Sequence, residues 1–257
     1  MRFHRVGSVQ LGVTIAGKFE AGGGGPVADL TLMLAHFDGA DNQPTTTDEV
    51  PTVLWDLDPA AGGASESHLD TAQSVFGGSA LTCGTSTGID ATAASFVSPH
   101  AGSWTYEVFY RISAADFSGG MAVQLLTAAG ENSAWFQPGA GAENDFAFIV
   151  WNQAGAIFII NTAVGVQNAD EWYYASIVRD VVAGTYDQYH GLVSGGVATR
   201  QFQDAVATDA RNMERFNWSA NIGSDGRWIE ESRFSRVARP GYSGASYAIP
   251  AAPFVLD

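Results

Sequence analysis

Trp104-Thr-Tyr-Glu-Val-Phe-Tyr-Arg111 is the stretch whose reading decides the fold. Its residues separate into two interleaved rows: Trp104, Tyr106, Val108 and Tyr110, and Thr105, Glu107, Phe109 and Arg111, the first more aromatic than the second. A period of two belongs to a strand, because successive side chains of a pleated backbone point to opposite sides. Similar short runs lie on either side. Leu30, Leu32 and Leu34 alternate before the turn-rich HFDGADNQPTTTDE. Residues 122–126 (AVQLL), 146–151 (FAFIVW), 156–160 (AIFII) and 172–179 (WYYASIVR) are rich in branched and aromatic side chains. Turn clusters separate them: Ser118-Gly-Gly, Gly139-Ala-Gly, Asn152-Gln-Ala-Gly and Gly195-Gly. Helix signals are weak, and residues 204–216 (DAVATDARNMERF) are the best candidate. Many short strands with almost no helix predict an all-β fold, a two-sheet antiparallel sandwich.

Composition agrees with that expectation. The 257 residues include 30 glycines, and only 15% are charged, which suits turns and packed sheets better than salt-bridged helices. The formal charge is −15, from 27 acidic against 12 basic side chains. Such a surface repels phosphate backbones, so nucleic acid is excluded as the expected partner. One cysteine, Cys83, rules out an intrachain disulfide. No apolar run is long enough to span a bilayer, and no membrane partner is expected. The opening MRFHRVGSVQLGVTIAG has the basic start of a secretory signal without its continuous apolar middle. The expectation is a chain that folds in the bacterial cytoplasm and is not exported by the general route.

Gly22-Gly23-Gly24-Gly25-Pro26 divides the chain. Residues 1–21 form an N-terminal arm, 22–28 a glycine-rich joint, and 29–257 the body. In the arm, Val9, Leu11, Val13 and Ile15 alternate with small or polar residues, and Arg2 and Arg5 add positive charge. A strand isolated in this way cannot bury its own apolar face. It is either an extra edge strand on the body or an anchor that docks into a larger assembly by strand addition, and a homo-oligomer is a further possibility for the chain.

Five stretches, in order, resemble the laminin-G-like branch of the concanavalin A-like jelly rolls, especially versions found in phage tail and appendage proteins. They are Leu34-Ala-His-Phe-Asp-Gly-Ala-Asp41 with Thr45-Thr-Thr-Asp48, Phe76-Gly-Gly-Ser-Ala-Leu81, Trp104 through Arg111, Trp172 through Arg179, and Ile222 through Arg239. Glu230 stands where the family usually has Asp, and the polar residues near 203–217 have no obvious counterpart. The resemblance implies a jelly roll in which the last strand, from Ile229 to Val237, returns beside the first. It also implies a non-catalytic virion protein: a decoration, fibre or tail appendage on the particle surface, joined to other virion proteins through the arm and contacting cell-surface polysaccharide. A bacterial secreted lectin or glycan-active enzyme is the alternative class.

The candidate chemistry is sparse. Glycoside hydrolases of the same superfamily carry Glu-x-Asp-x-Glu on one strand face, whereas Glu143-Asn-Asp145 is followed by Ala147 in the third position. Gly84-Thr-Ser86-Thr-Gly88 fits a nucleophile-elbow pattern, but no convincing helix follows it. The five histidines show no zinc-ligand spacing. Asp38, Asp41 and Glu230 are the candidate calcium ligands, because the first turn and last strand are expected to meet. For a glycan, Trp135, Trp151 and Asn152 beside loops, and Tyr186, Asp187 and His190 in the polar run TYDQYHG, are the candidate contacts. Trp104 and Trp172 are expected in the core.

Overall fold

The computed structural model describes residues 31–39, 45–47, 54–56, 68–82, 89–92, 102–116, 121–127, 129–140, 145–155, 157–163, 167–206, 211, 213, 215–220, 226–239, 242 and 244–255. The arm, the joint, Asp41, Glu143 and Gly84–Gly88 lie outside them. The strands begin with β1 (Thr31–Ala35), β2 (Thr45–Thr47), β3 (Leu54–Asp56), β4 (His68–Asp70), β5 (Ala80–Thr82) and β6 (Ile89–Thr92). Next come β7 (Trp104–Ile112), β8 (Met121–Leu126), β9 (Asn132–Ala140), β10 (Asp145–Trp151) and β11 (Ile157–Ala163). The last are β12 (Trp172–Asp180), β13 (Thr185–Leu192), β14 (Val197–Ala205), β15 (Arg215–Ala220), β16 (Arg227–Ser235) and β17 (Ser246–Ala248). Among the described residues there is no α-helix, only a 3₁₀ turn at Val193–Gly195.

Two antiparallel sheets result. The larger runs β17-β14-β13-β12-β7-β16-β5-β4, with β1 also on β16, and the smaller runs β11-β10-β9-β8-β15-β6-β3-β2. The chain is thus an all-β jelly-roll sandwich, and β16 does return beside β1, with Thr31 opposite Ser235 and Ala35 opposite Ser232. The weak helix candidate, 204–216, is strand at both its described ends. Asp204 and Ala205 pair with Tyr186 and Thr185, while Arg215 and Phe216 pair with β6 and β8. Cross-strand pairing overrides a weak helical propensity that had little burial behind it.

The aromatic row of β7 faces the smaller sheet. Trp104, Tyr106, Val108, Tyr110 and Ile112 join Val123, Leu125, Phe136, Phe148 and Val150 in one buried cluster. Its second row is not solvated. Phe109, with Tyr174, Val178 and Tyr189, packs under Ile249 and Phe254, so the C-terminal residues cover the outer face of the larger sheet. Every residue of β7 except Arg111 is therefore buried.

Charge is buried in that cover. Glu107 is fully enclosed, and Arg233 donates from Nε to Oε2 at 2.8 Å, with Nη2 at 2.6 Å. Arg239 Nε lies 3.0 Å from the same oxygen. The hydroxyls of Tyr174 and Tyr242 donate to Oε1 at 2.8 and 2.6 Å. Two cations and two phenols thus surround one carboxylate, which is what a buried charge requires. Burial and that carboxylate push the Tyr174 and Tyr242 hydroxyls above the ordinary phenol range, so both stay donors.

Candidate functional site

Strand parity decides where each candidate side chain lies. On β9 and β10, Ala134, Phe136, Phe148 and Val150 point inward, which turns Trp135, Ile149 and Trp151 to the outer face of the smaller sheet. Trp135 stands opposite Ile149 and diagonal to Trp151. The two indoles stack with centroids 6.2 Å apart and planes inclined by 27°. Both are half-buried, and the Trp135 indole N–H has no hydrogen-bond partner among the described residues. Asn152 follows immediately and opens the turn that Gly155 N closes on its carbonyl at 2.9 Å.

Arg211 completes this region. Its backbone N–H donates to Trp151 O at 3.1 Å, and its guanidinium lies 3.8 Å from the exposed Glu131 carboxylate. Gly155 has φ +80°, and a Cβ there would come within 2.7 Å of Arg211 Nη2. The left-handed backbone favours glycine there, and a side chain would displace the guanidinium. Neither Arg211 nor Glu131 was singled out from the sequence, because the contact joins positions far apart in the chain.

The run TYDQYHG is a correction. It forms most of β13, and alternation sends Tyr186 and His190 into the core. Tyr186 packs edge-on against Trp104 and Phe148, at 6.1 and 6.0 Å. The His190 ring stacks on Tyr173 at 4.8 Å and sits 2.7 Å from the Tyr110 hydroxyl, which donates to Gln167 Oε1. Burial lowers the His190 pKa to about 3, so the ring is neutral. Neither side chain is presented to a ligand. Asp187, between them, points to the other face of the larger sheet and is itself buried. It accepts hydrogen bonds from Thr185 Oγ1 (2.7 Å), Arg200 Nη1 (3.1 Å) and Gln203 Nε2 (2.7 Å).

The expected calcium corner is also rearranged. Asp38 is exposed, with its Oδ1 only 2.3 Å from where a Gly78 Cβ would stand, so that loop passes directly over the carboxylate. Between Ile229 and Ser232 the pairing of β16 with β7 is bulged by one residue. Glu230, in the bulge, turns onto the neighbouring loop. Its Oε1 accepts from Ser74 Oγ at 2.7 Å and Phe76 N at 2.8 Å, and its Oε2 from Val75 N. Glu231 instead takes His36 Nδ1 at 2.7 Å and Phe254 N at 3.0 Å. Burial raises both carboxyls, partly offset by these donors. Glu230 is therefore committed to the loop, not held out to a cation. No group of three His, Cys, Asp or Glu among the described residues is placed to hold a metal. Trp104 lies in the core as expected, whereas Trp172, at the start of β12, is only half-buried.

No family model matches the chain, and no curated protein does. Solved structures do. The receptor binding domain of botulinum neurotoxin mosaic serotype C/D is similar with a TM-score of 0.57 at 8% identity, over 82% of this chain and 48% of that one. The binding domain of botulinum neurotoxin DC in complex with SialylT gives 0.52 at 11%, over 82% and 48%. Lectin II from Ulex europaeus gives 0.49 at 12%, over 77% of this chain and 98% of that one. The chain spans about half the length of the toxin structures, and the likeness to them is one of fold.

Proposed function

We propose that the chain is a non-catalytic, lectin-like β-sandwich that binds a host-surface glycan and is carried on the surface of a phage particle as a decoration, fibre or tail appendage, after folding in the host cytoplasm. The stacked Trp135–Trp151 pair on the outer face of the smaller sheet carries the glycan reading. Flat indole faces suit the apolar C–H faces of sugar rings, and Asn152, next in the chain, and Arg211, whose backbone N–H bonds the Trp151 carbonyl, are the nearby polar residues proposed to fix orientation. The toxin domain of similar fold that was solved with SialylT supports a binding use of such a sandwich. Ala147, in the third position of the Glu143-Asn-Asp145 pattern, supports a site without hydrolysis, since it removes the second glutamate of that pattern, the carboxyl that would serve as acid/base opposite the nucleophile. The virion setting rests on the phage-type stretches in the sequence, on the arm, and on the acidic balance that disfavours nucleic acid.

A glycan array probed with and without calcium, beside a polysaccharide hydrolysis screen, tests this reading. The expected result is selective binding, indifferent to calcium, with no turnover, and binding that falls at least tenfold in Trp135→Ala/Trp151→Ala. Turnover of any polysaccharide that Glu143→Gln abolishes contradicts it and returns the chain to the enzymes. Deleting residues 1–21 is expected to leave the sandwich folded and to block attachment to particles. Unaltered attachment refutes the anchor.

A further inference from the structure

The larger sheet carries a second concavity, on the opposite side of the molecule's layers from the tryptophan pair. Its floor follows from register. Val178 stands opposite Asp187, which stands opposite Gln203, and one row further along Asp180 stands opposite Thr185. These residues all point to the outer face. Neighbouring strands lie about 4.8 Å apart and alternate residues about 7 Å apart along a strand, so the two rows make a small polar grid. The β12–β13 turn closes one end, with Ala183 at its rim and Gly184 at φ +74°. Ala238, Arg239 and Tyr242 of the C-terminal cover form the far wall.

The cleft measures ≈ 230 Å³. That is below the ~300 Å³ at which sites for drug-sized ligands begin, so it has room for one ring and not for a chain. Its chemistry is mixed. Asp187 is held rigidly by three donors, two of them from side chains that themselves line the cleft. The Asp180 Oδ1 takes the N–H groups of Val182 and Ala183, which fixes its carboxylate at the turn. With their protons given to Asp187 and Glu107, the Thr185 and Tyr242 hydroxyls offer acceptor lone pairs, Gln203 keeps a second amide N–H and its carbonyl, and Val178, Ala183 and Ala238 add apolar surface. The one cation in the lining, Arg239, is already paired with Glu107.

We propose that this cleft is a separate binding site for a single neutral sugar ring, a terminal or branching hexopyranose recognised through its hydroxyls. A neutral polyol uses donors and acceptors together and has an apolar face for the alanines and valine. An acidic sugar meets Asp180 and Asp187 with the nearby arginine committed elsewhere, and Coulomb repulsion disfavours it. The inference deepens the glycan-binding reading and rests on it, but on different residues.

The test is a two-dimensional ¹H–¹⁵N NMR titration of the whole chain with methyl glucoside, methyl galactoside and methyl mannoside, and in parallel with glucuronic and N-acetylneuraminic acids. The expected result is saturable shifts of the amides at 180, 183–187 and 203 with at least one neutral glycoside and none with the acids. Gln203→Ala weakens those shifts severalfold. Ala183→Phe removes them by filling the rim while deleting no hydrogen bond, with the remaining spectrum unchanged. Trp135→Ala/Trp151→Ala leaves them as they were. Shifts at the tryptophan pair without shifts at the cleft overturn this site and leave the first standing. Shifts at the cleft only with the acids overturn the choice of a neutral ring. No shifts anywhere overturn both.

Discussion

The outer faces of the two sheets are built by the same alternation yet end in opposite states. On the larger sheet the outward row of Phe109, Tyr174, Val178 and Tyr189 lies under Ile249 and Phe254, tied down by Glu107 and the arginines and tyrosines around it. On the smaller sheet the outward residues Gln124, Trp135, Ile149 and Trp151 are only half-buried. What separates them is where the chain spends its C-terminal residues. One face has become a second core with a charged centre, with a ring-sized cleft at its margin. The other keeps its two indoles half-exposed. The comparison teaches that an alternating strand reports two faces without saying which the chain itself will cover.

The comparison can be broken most sharply at Glu107. Glu107→Ala leaves two buried guanidinium groups without their carboxylate and is expected to cost ~3–5 kcal/mol in chemical denaturation. A loss under ~1 kcal/mol would mean that the cover is peripheral. Phe254→Ala removes a buried ring that lies 4.3 Å from the Arg233 guanidinium and 5.5 Å from Phe109. It is expected to cost ~3 kcal/mol by the same measurement.

Acid probes the inner face. The folded-state pKa of His190 lies below its unfolded value, so the unfolded chain binds the proton more readily. Its contribution is complete above pH ~6.5 and is lost as pH falls toward about 3, reaching ~3 kcal/mol by pH 4. Glu230 and Glu231 act with the opposite sign, since their raised folded-state pKa values favour the folded protein at low pH and lose that benefit as pH rises through them. The comparison with His190→Gln isolates the histidine: the variant's melting temperature should fall less steeply between pH 6.5 and 4. Parallel profiles would show that His190 is not held neutral. The smallest stability effect belongs to Trp135→Ala/Trp151→Ala, ~1 kcal/mol, because the pair's stacking is lost on a half-exposed face. A loss comparable to that of Glu107→Ala would make the pair a core element and remove the asymmetry between the two faces.

Much of the fold was legible because strand patterns are local. The two rows of Trp104–Arg111, the runs at 146–151 and 172–179, and the return of the last strand to the first all survive in the structure. The cover was not legible, since its contacts join residues 126 and 135 positions apart, Glu107 to Arg233 and to Tyr242. Polarity misled at β13, where Tyr186 and His190 in the polar run TYDQYHG read as glycan contacts. Their buried setting depends on Tyr110, Tyr173 and Arg179, which only folding brings together. Glu230 read as a cation ligand because no local signal announces the bulge that turns it onto residues 74–76. Of the six glycan candidates, Trp135 and Trp151 came together, since Ile149 and Trp151, two apart on β10, share a face and Trp135 of β9 stands opposite Ile149, whereas Asn152 only follows Trp151 in the chain.

The most direct test is a crystal structure of the chain with the best ligand from the glycan array. The account predicts an intact sugar with one ring lying against Trp135 and Trp151. A cleaved sugar, or an intact one bound only away from that pair, contradicts it.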